Sequence, residues 1–406
     1  MPVGVRRSLG YFALFTTAGL DMAMLGPTLP NLASQTGSSL GEIGLVFFLG
    51  ALGVSIGTLL GGGILGRVSG RAFLGVCQIV SGSLLLLVPH VGWFVPLLAL
   101  FAVKGIAGGI VGTSSNTLLQ WVHGSKAGPY VNALHFFWGL GAFLSPLLLG
   151  LLLTIGARYS DAYTLLAIFD VSVGVAVLLW LSPPSAPPAH ALSGSGVAVR
   201  TARLGPIVIA AMVFLFFYVS GEITFGGWLS TYAVKLGLAD GARAAFLTSM
   251  FWLSFTLGRL ASIPIALRFT SAQILAAALV GCAVFLSLLV AFPGSPEVLW
   301  ISAIGLGVSL APIWPNGFNL AVQSIRLTAG VGAVILMGDS IGAMVLPGLT
   351  GLVIERAGAS AMTVLVLVSI ACTAAAFVAI LIVRARWSRG PGSLRVGPAA
   401  GSEPQP

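Results

Sequence analysis

The sequence predicts an all-α membrane protein with twelve transmembrane helices in two six-helix repeats. Three observations carry that expectation. Apolar residues make up 57% of the 406-residue chain and charged residues only 7%, far outside the range of soluble domains. Apolar windows of about 20 residues, enough for a helix to cross a bilayer, recur twelve times. The second six windows echo the first at an offset of 201 residues, where GAFLSPLLLGL at 141–151 meets GAMVLPGLTGL at 342–352.

Span one, 9–30, is too long for a signal peptide and lacks a small-residue cleavage site behind a short apolar core, so it is read as a retained helix. Spans two and three, 43–64 and 72–90, flank the short loop GILGRVSGRAFL; span four is 94–117, span five 128–152 and span six 162–182. The Gly-rich runs GGGIL and AGGIVG sit within or at the ends of spans and lack a following Lys-Ser/Thr, so they are read as close helix packing rather than phosphate loops. The stretch 183–205, rich in Pro, Ala, Ser and Gly, is the linker between a half at 1–182 and a half at 206–384. Spans seven to twelve follow at 206–229, 244–265, 271–292, 297–320, 328–352 and 361–383, and 385–406 is expected to be a disordered tail.

The formal charge of +9 is distributed as a membrane topology rather than as a nucleic-acid patch. With the N-terminus inside, the inner side receives Arg6, Arg7, Arg67, Arg71, Lys126, Arg200, Arg203, Arg259, Arg268, Arg326 and the basic residues after 383; the outer side receives only Arg158, Lys235, Arg243 and Arg356. Both termini are therefore expected in the cytoplasm, with the chain in the plasma (inner) membrane. Cys77, Cys282 and Cys372 fall inside spans at unrelated spacings, which predicts neither a disulfide framework nor a metal site. No nucleotide-binding domain or catalytic grouping is visible, so an enzyme is not expected.

Charges inside the spans are the functional signal, because one near the bilayer centre costs about 2.5–3.5 kcal/mol and normally faces a cavity or a partner. At the 201-residue offset Asp21 in span one corresponds to Glu222 in span seven. Each is a candidate for cation coupling, by protonation or by coordination, beside the structural alternative of a buried, hydrogen-bonded carboxylic acid. Lys104 in span four points about 180° from Thr113 on a helical wheel, which favours a structural ion pair with Asp21 as one candidate partner. Asp170 in span six is read as packing, and Arg259 near the end of span eight as snorkelling to headgroups or fixing a helix end.

Polar stripes mark the expected substrate surface. Thr113, Asn116 and Gln120 share a face of span four; Asn132, His135 and Gly139 share one in span five beside Trp138; Asn316, Asn319 and Gln323 follow Trp314 in span ten. Planar and bidentate hydrogen-bonding groups next to aromatic surface suit a hydroxyl-rich ligand. Tyr218, one turn before Glu222, and Asp339 in span eleven complete the candidate substrate-binding set.

Several stretches carry a family resemblance. The loop after span two resembles the inner-loop motif Gly-x-x-x-Asp-Arg-x-Gly-Arg-Arg of the major facilitator superfamily, matched by Gly63, Arg67, Gly70 and Arg71, with Gly66 where the family has Asp. These four are the candidate conformational latch. LGPTLPNLASQTG at 25–37, residues 116–146, residues 217–260 and GFNLA at 317–321 resemble the sodium-dependent glucose transporter and fucose permease branch of that superfamily. The resemblance implies the major facilitator fold and alternating-access import of a neutral, glucose-like monosaccharide with sodium or a proton. It implies no bound cofactor, a small-molecule substrate and a lipid bilayer as partners, and a single chain as the working unit. In the fucose permeases an acidic residue stands four positions before the counterpart of Asn116, where this chain has Gly112. Coupling is then left to Asp21 and Glu222, or the protein is a facilitator. The rival readings are efflux of an amphipathic metabolite or drug and a sugar sensor or scaffold without turnover.

Overall fold

The computed structural model describes residues 3–65, 68–180, 205–323, 325 and 329–389. Thirteen α-helices are found among them: α1 (Val3–Thr36), α2 (Leu40–Ile64), α3 (Gly70–Leu87), α4 (Phe94–His123), α5 (Ala127–Thr154), α6 (Tyr159–Trp180), α7 (Pro206–Lys235), α8 (Gly241–Ala266), α9 (Ser271–Ala291), α10 (Pro296–Leu310), α11 (Ile313–Val322), α12 (Ala329–Ala357) and α13 (Ala361–Arg389). Together they supply twelve apolar segments long enough to cross a membrane, α10 and α11 forming one of them.

Most helices outrun the apolar windows because their polar ends are also helical. The last one continues to Arg389, past the expected boundary of the tail at 384. The end of the expected sixth span at 181–182, the expected linker from 183 to 204 and the tail from 390 lie outside the described residues. Span ten is broken after Leu310: Pro312 has no N–H to donate and disfavours helix at Ala311, and the chain restarts as α11. Side chains cap several helix starts. Ser39 and Glu42 form a reciprocal capping box on α2, and Thr270 and Gln273 another on α9.

The two halves repeat one packing scheme. In the first, α1 packs on α5, α2 on α4 and α3 on α6; in the second, α7 packs on α12, α8 on α10 and α9 on α13. The α2–α4 seam accounts for Gly61 and Gly109 of the glycine runs, where an added Cβ would meet the facing helix, but not for Gly62, Gly63, Gly108 or Gly112, where it would meet nothing within 4 Å. Cβ atoms added at Gly53 and Gly57 would lie 2.2 and 2.0 Å from the α4 carbonyl oxygens of Ala102 and Ile106. Two helices bearing small residues at this spacing approach backbone to backbone, which is how apolar helices gain packing without a hydrophobic driving force.

The halves meet through α2 with α12, α5 with α8, and α1 with α7. The side holding the start of α1 and the end of α13 is the terminal side; the loops at 37–39 and 358–360 mark the distal side. Contacts between halves run from mid-height to the distal side. A Cβ on Gly26 would stand 2.7 Å from the Gly227 carbonyl oxygen, and one on Gly351 would stand 1.9 Å from that of Leu40. Trp228 packs on Phe47 with ring centroids 5.9 Å apart and donates its indole N–H to the Pro347 carbonyl at 2.9 Å. The distal side is sealed.

Because the Leu40 carbonyl leaves no room for a side chain at position 351, Gly351→Val should hold α2 and α12 apart at their distal ends. Nitroxide labels at Leu45 on α2 and Ala357 on α12 would then report a longer distance than in the parent protein. An unchanged distance distribution would show that this glycine contact does not govern distal closure.

Candidate functional site

The first cluster lies inside the N-terminal half. Lys104 on α4 donates to Asp21 Oδ2 on α1 in an ion pair, with only 11% and 12% of the two side chains exposed. Ser81 on α3 turns its hydroxyl toward the same oxygen at 3.4 Å. Lys104 thus has Asp21 as its partner, one turn-direction away from the Thr113 face, as its position on the helical wheel requires. Asp170 on α6 is fully buried at the same junction and within electrostatic reach of Asp21 and Lys104. A Cβ on Gly82 of α3 would come within 2.7 Å of the Asp170 Cβ, so α3 and α6 close tightly over this carboxyl. Tyr163 pairs with Thr28, hydroxyl to hydroxyl, at 2.8 Å on the other side of Asp21.

The second cluster is built mostly by the C-terminal half. Glu222 on α7 is 5% exposed and feels the charges of Arg259 on α8 and Asp339 on α12. Arg259 acts in the same way on Asp339 and on His135 of the opposite half. Among the described residues it makes no ion pair at contact distance; its guanidinium lies 4.4 Å over the Phe255 ring, a cation–π arrangement. Arg259 therefore faces the interior between the halves, which corrects its expected role as a headgroup anchor. The available signal was its spacing: Trp252, Phe255 and Arg259 share one face of α8, and Trp252 meets Trp138 edge to face at 5.7 Å across the seam. Trp314 on α11 donates its indole N–H to Asp339 Oδ1 at 2.8 Å and stacks on Phe318.

The expected substrate residues divide. Thr113, Asn116 and Gln120 line a cleft of about 430 Å³ with Phe15, Val54 and Thr58, and Gln120 donates to the Asn116 carbonyl oxygen at 2.9 Å. His135 is accessible beside the edge of Phe15, at 5.8 Å between rings, and Asn132 is exposed one turn earlier. Trp138, Trp314 and Asp339 are partly accessible. The cleft of Asn116 and Gln120, His135 and the partly accessible Trp138, Trp314 and Asp339 lie on the terminal side of the close contacts at Gly26 and Gly351.

Three others turn away. Tyr218 is fully buried beside Glu222 and donates its hydroxyl to the Leu310 carbonyl at 3.0 Å, where it supports the broken tenth span. Asn316 donates its side-chain amide at 2.8 Å to the Pro312 carbonyl, which also accepts the Asn316 backbone N–H at 3.3 Å. Asn319 donates to Ser271 at 3.0 Å on α9, about 140° around α11 from Trp314. The helix break re-aims the stripe that spacing alone placed on one face. Of the latch residues, Gly70 is buried at the start of α3, Gly63 and Arg71 are exposed, and Arg67 lies outside the described residues.

Removing Lys104 would leave the Asp21 carboxylate buried without its counter-charge. Lys104→Met should lower unfolding stability by about 3 kcal/mol, and adding Asp21→Asn should recover most of the loss. Thermal unfolding in detergent would test this; a double variant no more stable than the single one would show that the pair is not coupled.

The sequence profile of the Major Facilitator Superfamily matches residues 11–334. The sodium-dependent glucose transporter 1A of Mus musculus is 29% identical over 374 residues, covering 84% of this chain and 88% of that protein. Two solved structures share the architecture: a variant of the nucleoside transporter NupG, with a TM-score of 0.76 at 15% identity over 93% of this chain and 99% of that one, and a D-xylose-proton symporter, with a TM-score of 0.73 at 16% identity over 90% and 97%.

Proposed function

The chain belongs to the Major Facilitator Superfamily, and on that premise we propose that it moves a neutral, glucose-like monosaccharide across the membrane by alternating access, coupled to a cation. The observation that carries this reading is that Arg259 of the second half acts at once on Asp339 and, across the seam, on His135 of the first half, while Phe15 beside His135 also lines the cleft of Asn116 and Gln120. Asn116, Gln120 and His135 come from the first half, and Arg259, Asp339 and Trp314 from the second. A ligand held between halves is bound more tightly in some arrangements of the halves than in others, and only such differential affinity drives a conformational cycle.

The chemistry suits a sugar. The amides of Asn116 and Gln120 offer donors and acceptors together, His135 and Arg259 add donors, Asp339 is an acceptor, and Trp138 and Trp314 provide flat apolar surface for a pyranose face. The relative from Mus musculus is named for sodium-dependent glucose transport, which supports the substrate class. The distribution of Lys and Arg supports termini on the cytoplasmic side of a plasma or inner membrane; the sealed distal side is then extracellular and the structure represents the inward-facing state. Asp21 and Glu222 are the proposed coupling carboxylates, since each stands at mid-height beside a basic partner whose attraction for it a bound cation would alter.

Uptake of labelled glucose into proteoliposomes, under a sodium gradient, a proton gradient or none, tests the reading. Accumulation should appear under one gradient. Equilibration alone would remove the coupling, and no uptake would favour efflux of an amphipathic compound or binding without turnover.

Asn116→Ala should raise the KM for the transported sugar about tenfold, the equivalent of one hydrogen bond of about 1.4 kcal/mol, with unchanged expression. An unaltered KM would take Asn116 out of the site. Asp21→Asn and Glu222→Gln should each abolish gradient-driven accumulation while leaving sugar exchange measurable; full accumulation in both would end their coupling role.

A further inference from the structure

Asp170 is a buried carboxyl of the N-terminal half that neither the substrate surface nor the Lys104–Asp21 ion pair uses. It is fully buried, and neither carboxyl oxygen has a hydrogen-bond partner among the described residues. Asp21 Oδ1 is also buried and unpartnered, while its Oδ2 takes the Lys104 ammonium and faces the Ser81 hydroxyl. Ser81 faces Asp21 and the adjacent Gly82 packs against Asp170, so two carboxylates and one ammonium, drawn from α1, α4 and α6, lie within electrostatic reach of one another in an apolar interior, with a net charge of −1 when all are ionised.

An uncompensated buried charge is costly, and buried carboxyls close to one another cannot cheaply both ionise. One proton neutralises the group. Asp170 is the oxygen pair best placed to hold it, because Asp21 already has the ammonium. The unpartnered Asp21 Oδ1 is then the acceptor available to the Asp170 hydroxyl. A sodium ion would instead have to be desolvated beside the Lys104 ammonium, a like charge, and would need several oxygen ligands where a proton needs one.

We propose that Asp170, Asp21 and Lys104 form a buried proton-binding site in which the two carboxylates share one proton against a single ammonium. Asp21, with 12% of its side chain exposed, is the route of exchange with solvent. The other groups facing the site do not compete for the proton: α3 presents Ser81 and Gly82, and the Tyr163 hydroxyl of α6 is held by Thr28. Loss of the proton leaves Lys104 between two negative carboxylates and draws α6 and α4 toward each other. The change reaches the substrate surface through α1, which carries Asp21, places Phe15 against His135 and approaches the opposite half at Gly26. This inference rests on the cation-coupled reading above and specifies its cation as a proton.

Infrared difference spectroscopy of the purified full chain, titrated with pH in potassium and in sodium buffers, reads the site without requiring transport. The expected result is a carbonyl stretch of a protonated carboxylic acid that shifts in D2O, fades as pH rises, is the same in both salts and disappears in Asp170→Asn. Glu222→Gln should keep that band, and Asp170→Glu should restore one at a shifted frequency, separating loss of the carboxyl from loss of the fold. A band retained in full in Asp170→Asn, one that does not titrate while the protein stays folded, or one that sodium abolishes at constant pH would overturn the proposal. In proteoliposomes Asp170→Asn should lose accumulation driven by a proton gradient and retain exchange; unchanged accumulation would also overturn it. Parent protein that transports no sugar while the band behaves as expected would instead defeat the sugar reading and leave the proton site standing.

Discussion

Burying charge in an apolar medium is the constraint on which the arrangement depends. The Asp21 carboxylate near mid-height has the Lys104 ammonium as its counter-charge, and holding the two together ties α1 to α4 inside a half whose other contacts are mainly apolar. The same cost bears on many of the other polar groups, although the Asp170 carboxyl and several buried hydroxyls have no partner among the described residues. Some are paired, as Trp314 is with Asp339; some bond to backbone at the break in the tenth span, as Tyr218 and Asn316 do; others are accessible, as Asn132, His135 and Gln120 are.

The repeated frame carries different chemistry in its two halves. Asp21 and Glu222 occupy equivalent places on α1 and α7, yet the counterpart of Lys104 is Gly305, so Glu222 has no ammonium from the tenth span. Its basic neighbour is Arg259 on α8, whose own counterpart is Thr58 in the cleft beside Asn116. One half therefore holds a closed ion pair away from the substrate surface, and the other holds a spread group of charges next to it. Such a division suits coupled transport, in which the driving ion and the cargo need separate sites linked by a moving element.

Close backbone contact makes that movement two-state rather than gradual. At Gly351 and Gly26 the helices touch through carbonyls with no side chain between them, so the seam is either engaged or parted. Within the first half the α2–α4 glycine seam packs the two helices backbone to backbone.

The spans, their number and their pairing into halves were legible in the sequence because the bilayer imposes a length and a composition on every crossing helix, and duplication left a fixed offset. The Lys104–Asp21 pair was legible as one candidate, since a helical wheel excluded the alternative face. The stripe at Asn316 and Asn319 was misleading: wheel arithmetic assumes a continuous helix with a known inward face, and the break at Pro312 removes the first condition while packing against α9 decides the second. Arg259 was missed for a related reason, because position along a helix gives its depth and not the direction it faces. Residue type and depth are properties of the chain by itself; which charges share one pocket depends on how six helices cross, and only the tertiary structure decides that.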